Sequence, residues 1–496
     1  MKVLLLYPNI HGMNMLPPAI GLFTSLLRGE GHEVDLFDST NWIIPGENFD
    51  SDKEKEKILT VRPFDDSKLC SEMHTTNVFQ DFRDKTLGFG PDLIAVSVTE
   101  DLFPVARMLL AAVADLGIPT IMGGVFATFA PEKCLALDGV DMVCVGEGEN
   151  PMIELCERME RGRSVLDIPG LWVNTADGVR RNPLGPAVDM DRNPLLDLSL
   201  FEDSRLYRPM QGRVWRMLPV ETHRGCPYQC TYCNSPSQQR LYRESKSHFY
   251  RKKSFESIHR ELTYFKDALK AEAFYFWADT FFSYTEKEFS EFCEMYADIN
   301  LPFWVQSRPE TINEDRLLQL KKIGLFRMAF GVEHGNDEFR KRVLRRNVSN
   351  ALMLDQFKIL NKLDIKFSVN NIIGFPTETR ELAMDTVRLN AKISCDSANA
   401  YSFSPFHGTP LRKMAEDLGY CDKNLIARSV MKPTLLDMPQ FSPASIEGLR
   451  RCFTLYTRMP ESRWPEIEKA EQATAQGDAI WKALREECLE KYMHFD

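Results

Sequence analysis

His223-Arg-Gly-Cys-Pro-Tyr-Gln-Cys-Thr-Tyr-Cys-Asn234 holds three cysteines, Cys226, Cys230 and Cys233, in a CxxxCxxC spacing. Such close spacing lets one short loop wrap several thiolates around one metal centre, and soft sulfur ligands select iron–sulfur clusters or zinc. A tetrahedral zinc site or a fully protein-held cluster wants a fourth ligand, and no fourth cysteine lies nearby. A [4Fe-4S] cluster on this loop therefore keeps one iron open to a small molecule. The bland alternative is three core cysteines together by chance, since cysteine is common in cores. The Gly-Cys-Pro start and the aromatic Tyr232 before the last cysteine speak against it.

The chain around this loop is 496 residues long, enough for two or three domains with sizeable cores. Its 44% hydrophobic and 27% charged residues are ordinary globular composition. A formal net charge of −10 argues against a nucleic-acid partner. The short basic stretches Arg251–Lys253 and Arg340–Arg346 are expected on solvated faces or at anion contacts. Apart from the loop, the cysteines are scattered singly, which predicts free thiols in a reducing interior. Met1–Pro8 lacks the length and cleavage region of a signal sequence. The most apolar stretch, Val105–Ala130, is broken by Arg107, Asp115 and Pro119 and is no membrane span. A soluble, cytoplasmic protein is the expectation.

Downstream of the loop, strands are predicted at Ala273–Trp277, Phe303–Gln306, Phe326–Phe330, Phe367–Ile373 and Ala400–Phe403, alternating with helices. With the strand before Cys226 these make six β/α units, a partial (β/α)6 barrel with its active face at the strand C-termini. Upstream, Val3–Tyr7, Glu33–Phe37, Leu93–Val98, Pro119–Met122 and Met142–Val145 alternate with helical patterns. Continuous apolar strands of this kind imply a doubly wound, Rossmann-like parallel sheet with ligands at its carboxyl edge. The segment of about Asn41 to Leu87 is polar and poorly patterned. The expected division is a first α/β domain over 1–161, a linker over 162–217, the barrel over 218–420 and a helical C-terminal region over 421–496.

The strand ends of the barrel carry Ala278-Asp279-Thr280, Gln306-Ser307-Arg308, Gly331-Val-Glu333-His-Gly335 and Ile372-Ile-Gly374-Phe-Pro-Thr-Glu378. Together with the cysteine loop, this series resembles the radical S-adenosylmethionine (SAM) enzymes. The resemblance implies that Cys226, Cys230 and Cys233 ligate a [4Fe-4S] cluster whose open iron takes the amino and carboxylate groups of SAM. It further implies that Asp279 meets the ammonium and that Ser307 and Arg308 meet the ribose or carboxylate. Glu333 is then the partner of ribose hydroxyls or the amino group, and Gly374 and Tyr232 border the adenine. Singly, each is as easily a helix cap or a solvated carboxylate. Cleaving the sulfonium needs an electron from an adjacent iron and a dry pocket for the adenosyl radical.

The first domain carries Pro17-Pro18 with Gly21-Leu22, Gly31-His-Glu-Val34 to Asp38, Ser97-Val-Thr99, Gly123-Gly124 and Gly146-Glu-Gly-Glu149 before Ile168-Pro-Gly170. This set is similar to the cobalamin-binding domain fused ahead of the barrel in the B12-dependent radical SAM family. The resemblance implies a cobalamin site at Pro17, Ser97, Thr99, Gly123, Gly124, Gly146, Glu147 and Gly148. Two departures stand out. The Asp-x-His-x-x-Gly motif is absent, and Phe126 stands where many relatives have a histidine after Gly-Gly-x, so the lower cobalt face is expected unligated or water-bound. His11, in a loop, is expected to be solvent-exposed.

The resemblance implies methylation of an unactivated carbon or phosphorus centre of a small molecule. One SAM methylates cobalamin, and a second yields a 5'-deoxyadenosyl radical. The substrate radical that follows collects the methyl from methylcobalamin, with an external flavodoxin- or ferredoxin-type donor. The alternative within the same architecture is ring contraction or the anaerobic oxidative cyclisation of a tetrapyrrole, to which Phe453, Tyr456 and Trp464 of the tail are equally suited. A methylthiotransferase is disfavoured, because Cys70, Cys134 and Cys144 lack a cluster setting and the tail is helical and mildly acidic. A cobalamin sensor with a dead barrel would have a damaged cysteine loop, and this one is intact. Within Tyr401–Pro410 the aromatics are expected to line the substrate pocket, whereas Trp277 and Trp304 are expected in the core.

Overall fold

The computed structural model describes residues 1–13, 15–47, 50–61, 64–65, 69 and 73–493. Cys70 lies outside the described residues. The first sheet contains β1 (Lys2–Tyr7), β2 (Glu33–Asp38), β3 (Leu93–Ser97), β4 (Thr120–Gly123), β5 (Met142–Cys144), β6 (Leu171–Thr175) and β7 (Gly178–Arg181), in the order β2-β1-β3-β4-β5-β6-β7. The first five strands are parallel. Val3 to Leu6 of β1 are almost wholly buried because helices cover both faces of the sheet. Val3 and Leu5 enter one hydrophobic core, Leu4 and Leu6 the other. The order of winding switches at β1, which has β2 on one side and β3 on the other, and the crevice between β1 and β3 opens beyond Tyr7 and Ser97.

The second sheet begins with β8 (Tyr207–Met210), antiparallel to β9 (Arg213–Glu221). A small antiparallel pair, β10 (His223–Arg224) and β11 (Arg251–Lys252), brackets the cysteine loop. Five parallel strands follow: β12 (Ala273–Trp277), β13 (Phe303–Ser307), β14 (Leu325–Glu333), β15 (Lys366–Ile373) and β16 (Ser397–Ser402). The six parallel strands follow chain order across the sheet, as a half-barrel requires. Alternation sorts their side chains: Phe274 and Phe276 of β12 join the core under the helices, while Tyr275 packs with Trp304 on the concave face. A register shift between Gly331 and Glu333 ends β14 with Glu333 at φ 70°, and Glu333 lines the cavity beside the cysteine loop.

Four expectations are corrected. The segment 162–217 is more than a linker: β6 and β7 extend the first sheet as an antiparallel hairpin around Asp177-Gly178, and β8 opens the second. Edge strands such as Gly178-Val-Arg-Arg181 bury little and leave no apolar alternation to read. The polar insertion contains two helices, Ser51–Lys57 and Val78–Phe89, capped by the side chains of Asp50 and Asn77. The basic stretches are only partly solvated: Lys341, Arg342 and Arg345 are exposed, but Arg251 pairs with Glu147, Lys252 with Glu288, Lys253 with Glu261 and Arg346 with Glu333, and Arg340 is fully buried. Trp277 is 37% exposed, at the edge of a cavity, and Trp304 faces another cavity.

The C-terminal region is helical. Phe453 and Tyr456 of the helix Pro443–Arg458 are core residues, and Tyr456 Oη donates to Glu471 Oε1 at 2.6 Å. Among the described residues, no helix is long and apolar enough to cross a membrane.

Candidate active site

Three cavities meet at the C-terminal edges of the two sheets. One, of about 210 Å³, gathers the cysteine loop and the ends of β12 to β14: Cys226, Cys230, Cys233, Asp279, Ser307, Arg308, Glu333 and Tyr232 all line it. The cysteines are free thiols. Cys230 Sγ accepts a hydrogen bond from Arg308 Nη1 (3.1 Å), Cys233 Sγ from the Ser235 amide (3.4 Å), and Cys226 Sγ lies 3.6 Å from Thr280 Oγ1. Among the described residues, no three His, Cys, Asp or Glu side chains are already closed around one point as metal ligands. Burial pushes the Cys226 thiol up and the Cys233 thiol to about 12; a bound soft cation favours the thiolate form.

Opposite the sulfurs stands a polar group. Arg346, 3% exposed, donates to Glu333 Oε1 (3.1 Å), Tyr232 Oη (3.0 Å) and the Gly331 carbonyl (2.7 Å). Burial raises the Glu333 carboxyl above its ordinary range, and Arg346 pulls it only partway back. Asp279 opens on the cavity but is walled by protein; poor solvation, then the charge of Glu221, raises its carboxyl too. Ser307 is held by Thr311 at 2.8 Å. Arg308 is fixed by Glu310 (2.6 Å) and stacks at 3.7 Å over the Tyr228 ring. Gly374 does not line this cavity: at φ 89° it donates its amide to Glu378, and a Cβ there would meet Ile446 at 3.1 Å. Its smallness serves the packing of the C-terminal helix.

The second cavity, about 430 Å³, lies at the carboxyl edge of the first sheet and is lined by Pro17, Ser97, Thr99, Gly123, Gly124, Gly146, Glu147 and Gly148. Barrel residues Arg224, Lys253 and Trp277 close its far side. Small residues admit a ligand here only in part. A Cβ on Gly123 would meet nothing nearer than 3.8 Å, but on Gly124, at φ 105°, it would lie 2.5 Å from the Val98 carbonyl oxygen. Glu147 is committed elsewhere: it pairs with Arg224 at 2.6 Å and with Arg251, and accepts from the Val188 amide at 2.9 Å. Arg224 also holds Glu149 (2.7 Å) and Glu221 (2.9 Å). Burial alone would lower the guanidinium's affinity for its proton, but Glu221 and Glu149 raise it well above the ordinary value. The Gly146–Glu149 motif thus also locks the first domain onto the strand leading to the cysteines.

Phe126 is 2% exposed and packs on Phe103 and His407. His11 lines neither this cavity nor the next and pairs with Asp50 at 3.8 Å. No histidine lines the second cavity among the described residues.

The third cavity, about 530 Å³, fills the concave side of the half-barrel. It shares Tyr7, Met15 and Thr99 with the second and Gln306, Ala329 and Asn370 with the first. The insertion closes its open side through Asp52, Lys55 and Thr60, and Ser397 Oγ donates to the Thr60 carbonyl at 2.7 Å. Arg208, Arg327, Ser368, Asn370, Asn399 and Tyr401 face it, none of which sequence reasoning had singled out except Tyr401 within its motif. The polar period-2 pattern Ser368/Asn370 and Ser397/Asn399 was the available signal, because a solvated lumen replaces apolar side chains on one face of a buried strand. The Tyr401–Pro410 motif divides: Tyr401 lines the chamber, Phe403 is core, and His407 Nδ1 meets Glu100 Oε1 at 2.6 Å.

A doubly wound sheet and a half-barrel thus face each other across these cavities, with the cysteine loop at their junction. The sequence profile of the Radical SAM superfamily matches residues 220–389, and that of the B12 binding domain matches residues 67–156. The chain belongs to the cobalamin-dependent radical SAM family and is a radical SAM enzyme.

Among its relatives, an uncharacterised methyltransferase of Pyrococcus horikoshii is 26% identical over 365 residues, 72% of this chain and 76% of the relative. The anaerobic magnesium-protoporphyrin IX monomethyl ester cyclase of Rubrivivax gelatinosus is 24% identical over 480 residues, 91% of this chain and 77% of the relative. The radical SAM methyltransferase TsrM of Kitasatospora setae, solved with cobalamin and a [4Fe-4S] cluster, shares the fold at TM-score 0.60 and 16% identity, covering 98% of this chain and 99% of its own.

Proposed function

We propose that the chain is a methyltransferase that moves a methyl group from SAM to an unactivated carbon or phosphorus centre of a small molecule. The observation that carries this reading is the shared walls: one chamber borders both the cysteine cavity and the strand-end cavity, so one substrate touches both. The donor sets fit the groups implied. Three free thiols beside Asp279, Arg308 and Glu333 suit a [4Fe-4S] cluster and a cosubstrate bearing ammonium, carboxylate and ribose. The cavity at the switch point, with its small-residue strand ends, suits the nucleotide tail of cobalamin. Bound there, the cluster supplies an electron at low potential and the corrin a carrier for the methyl group.

The chain's own residues hold these groups. Cys226, Cys230 and Cys233 ligate the cluster; Asp279 takes the SAM ammonium, Glu333 and Ser307 the ribose, and Arg308 the carboxylate. Tyr7, Met15 and Thr99 form the threshold through which the substrate meets the corrin. The insertion contributes Asp52, Lys55 and Thr60 to the chamber wall. An external flavodoxin- or ferredoxin-type donor and a cytoplasmic setting belong to this reading. Oxidative cyclisation is the second reading, favoured by the cyclase relative that aligns with 91% of this chain.

The test is anaerobic. The reconstituted holoenzyme, expected to hold one cobalt and about four irons per chain, is incubated with methyl-labelled SAM and a metabolite pool. Labelled product, with S-adenosylhomocysteine and 5'-deoxyadenosine in equal amounts, is expected. 5'-Deoxyadenosine without label transfer or S-adenosylhomocysteine overturns methyl transfer in favour of cyclisation, and iron without cobalt overturns both.

A further inference from the structure

The described lining of the central chamber carries three acids, Asp52, Asp101 and Asp396, and three bases, Lys55, Arg208 and Arg327. Lys55 is met by Asp52 at 3.2 Å and Arg327 by Asp396 at 2.7 Å. Arg208 meets no carboxylate among the described residues, and its Nη1 has no close hydrogen-bond acceptor. Asp101 also lines the chamber, but Thr99 Oγ1 donates to it at 2.6 Å, and burial raises its carboxyl toward the neutral form. Arg208 is thus the one of these three bases that no carboxylate meets among the described residues.

The setting of Arg208 is prepared. It projects from β8, the antiparallel edge strand, and its guanidinium carbon lies 4.7 Å from the Tyr275 ring centroid and 5.5 Å from that of Trp304. Two aromatic faces fix the plane of the fork. Nη1 and the Tyr275 hydroxyl are both sealed from solvent, and the guanidinium acts on that hydroxyl as a neighbouring donor, so it is the rest of the fork that faces the chamber. An unpaired, part-buried cation is costly unless an anion completes it. Neither implied cofactor serves, because Arg208 lines neither the cysteine cavity nor the strand-end cavity.

We propose that the central chamber binds a small molecule through an anionic group, a carboxylate or phosphate, received by Arg208. This rests on the reading of the chamber as the substrate site. It makes Arg208 a specificity-determining residue: it selects substrates by charge and anchors one end of the molecule.

The probes are benzoate, phenyl phosphate, neutral benzamide and inorganic phosphate, measured by equilibrium dialysis against the reconstituted holoenzyme. Benzoate or phenyl phosphate is expected to bind about tenfold or more tightly than benzamide, the size of one charge-assisted hydrogen bond. Arg208→Gln is expected to abolish that preference and Arg208→Lys to restore part of it, with cobalt and iron contents confirming that both variants load. Equal binding of benzamide and benzoate, an unchanged preference in Arg208→Gln, or failure of both aromatic anions to bind overturns the proposal. Inorganic phosphate binding as tightly as phenyl phosphate means a free-anion site only and also overturns it. SAM cleavage and cobalt content, measured on the same samples, report separately on the parent reading. An enzyme that loads cobalt and cleaves SAM but ignores charge loses only the Arg208 assignment.

Discussion

Arg224 Nη1 lies 2.6 Å from Glu147 Oε1, joining a residue two positions before Cys226 to the motif at the end of the first sheet's fifth strand. The same nitrogen is 2.7 Å from Glu149 Oε1, and all three side chains are largely buried. One guanidinium thus sets the distance between the cysteine loop and the strand-end cavity.

Removing it takes the shared counter-charge from Glu147, Glu149 and Glu221, of which Glu147 keeps Arg251. Arg224→Ala is expected to destabilise the domain junction by about 3–5 kcal/mol, the cost of breaking a buried pair from one side. Limited proteolysis of the 182–206 segment measures this, with faster cleavage expected. Adding Glu147→Gln and Glu149→Gln to Arg224→Ala is expected to recover much of the resistance; no recovery would refute the electrostatic account.

Asp279 is accessible to the cysteine cavity and has no ion pair among the described residues, so it is available to a cationic group. Asp279→Ala is expected to retain full iron content while weakening SAM binding about tenfold or more, as loss of a charged hydrogen-bond partner does. Iron analysis and SAM titration separate the two effects. The contrasting variant, Cys226→Ala with Cys230→Ala and Cys233→Ala, is expected to lose the iron.

Glu100 is 3% exposed and accepts from the amides of His407 (2.7 Å) and Ala427 (2.8 Å) as well as meeting the His407 ring. Glu100→Ala strands these donors and is expected to cost about 3 kcal/mol or more. Hydrogen exchange is the measurement: amides between 405 and 428 are expected to lose protection, and unchanged protection there would remove Glu100 as the anchor of this loop.

His223 is 3% exposed, its Nδ1 2.8 Å from Thr222 Oγ1 and its Nε2 without a partner. Burial, then the charge of Lys252, depresses its pKa from 6.5 to about 3. Between those values the unfolded chain binds a proton that the folded chain does not. Stability therefore falls as pH drops below 6.5, by about 1.4 kcal/mol per pH unit from this group. Denaturation midpoints of wild type and His223→Gln from pH 7 to pH 5 are expected to converge as the pH falls. Parallel curves would show that His223 does not carry this dependence.

The cysteine loop, the strand-end motifs and the alternation of apolar strands with helices were legible in the chain because each is local. Cys226, Cys230 and Cys233 lie on one loop, and Asp279, Ser307, Arg308 and Glu333 each follow a strand of a half-barrel whose active edge topology dictates. Glu147 was legible as part of a motif but not as a clamp, since its partner Arg224 is 77 residues away in sequence. Gly374 looked like a ligand contact, but the side chain it accommodates, Ile446, comes from the C-terminal helix.

Which residues gather in the cysteine cavity was thus determined by sequence alone, because residue type and spacing suffice where one short segment or one sheet edge does the positioning. The chamber was decided only by the tertiary structure. Lys55, Arg208, Arg327 and Tyr401 come from the insertion, an edge strand and two barrel strands. Whether such side chains meet depends on the pleat of each strand and on where the insertion docks. Those follow from the packing of the whole molecule, and no local pattern encodes which cation is left without a counter-charge.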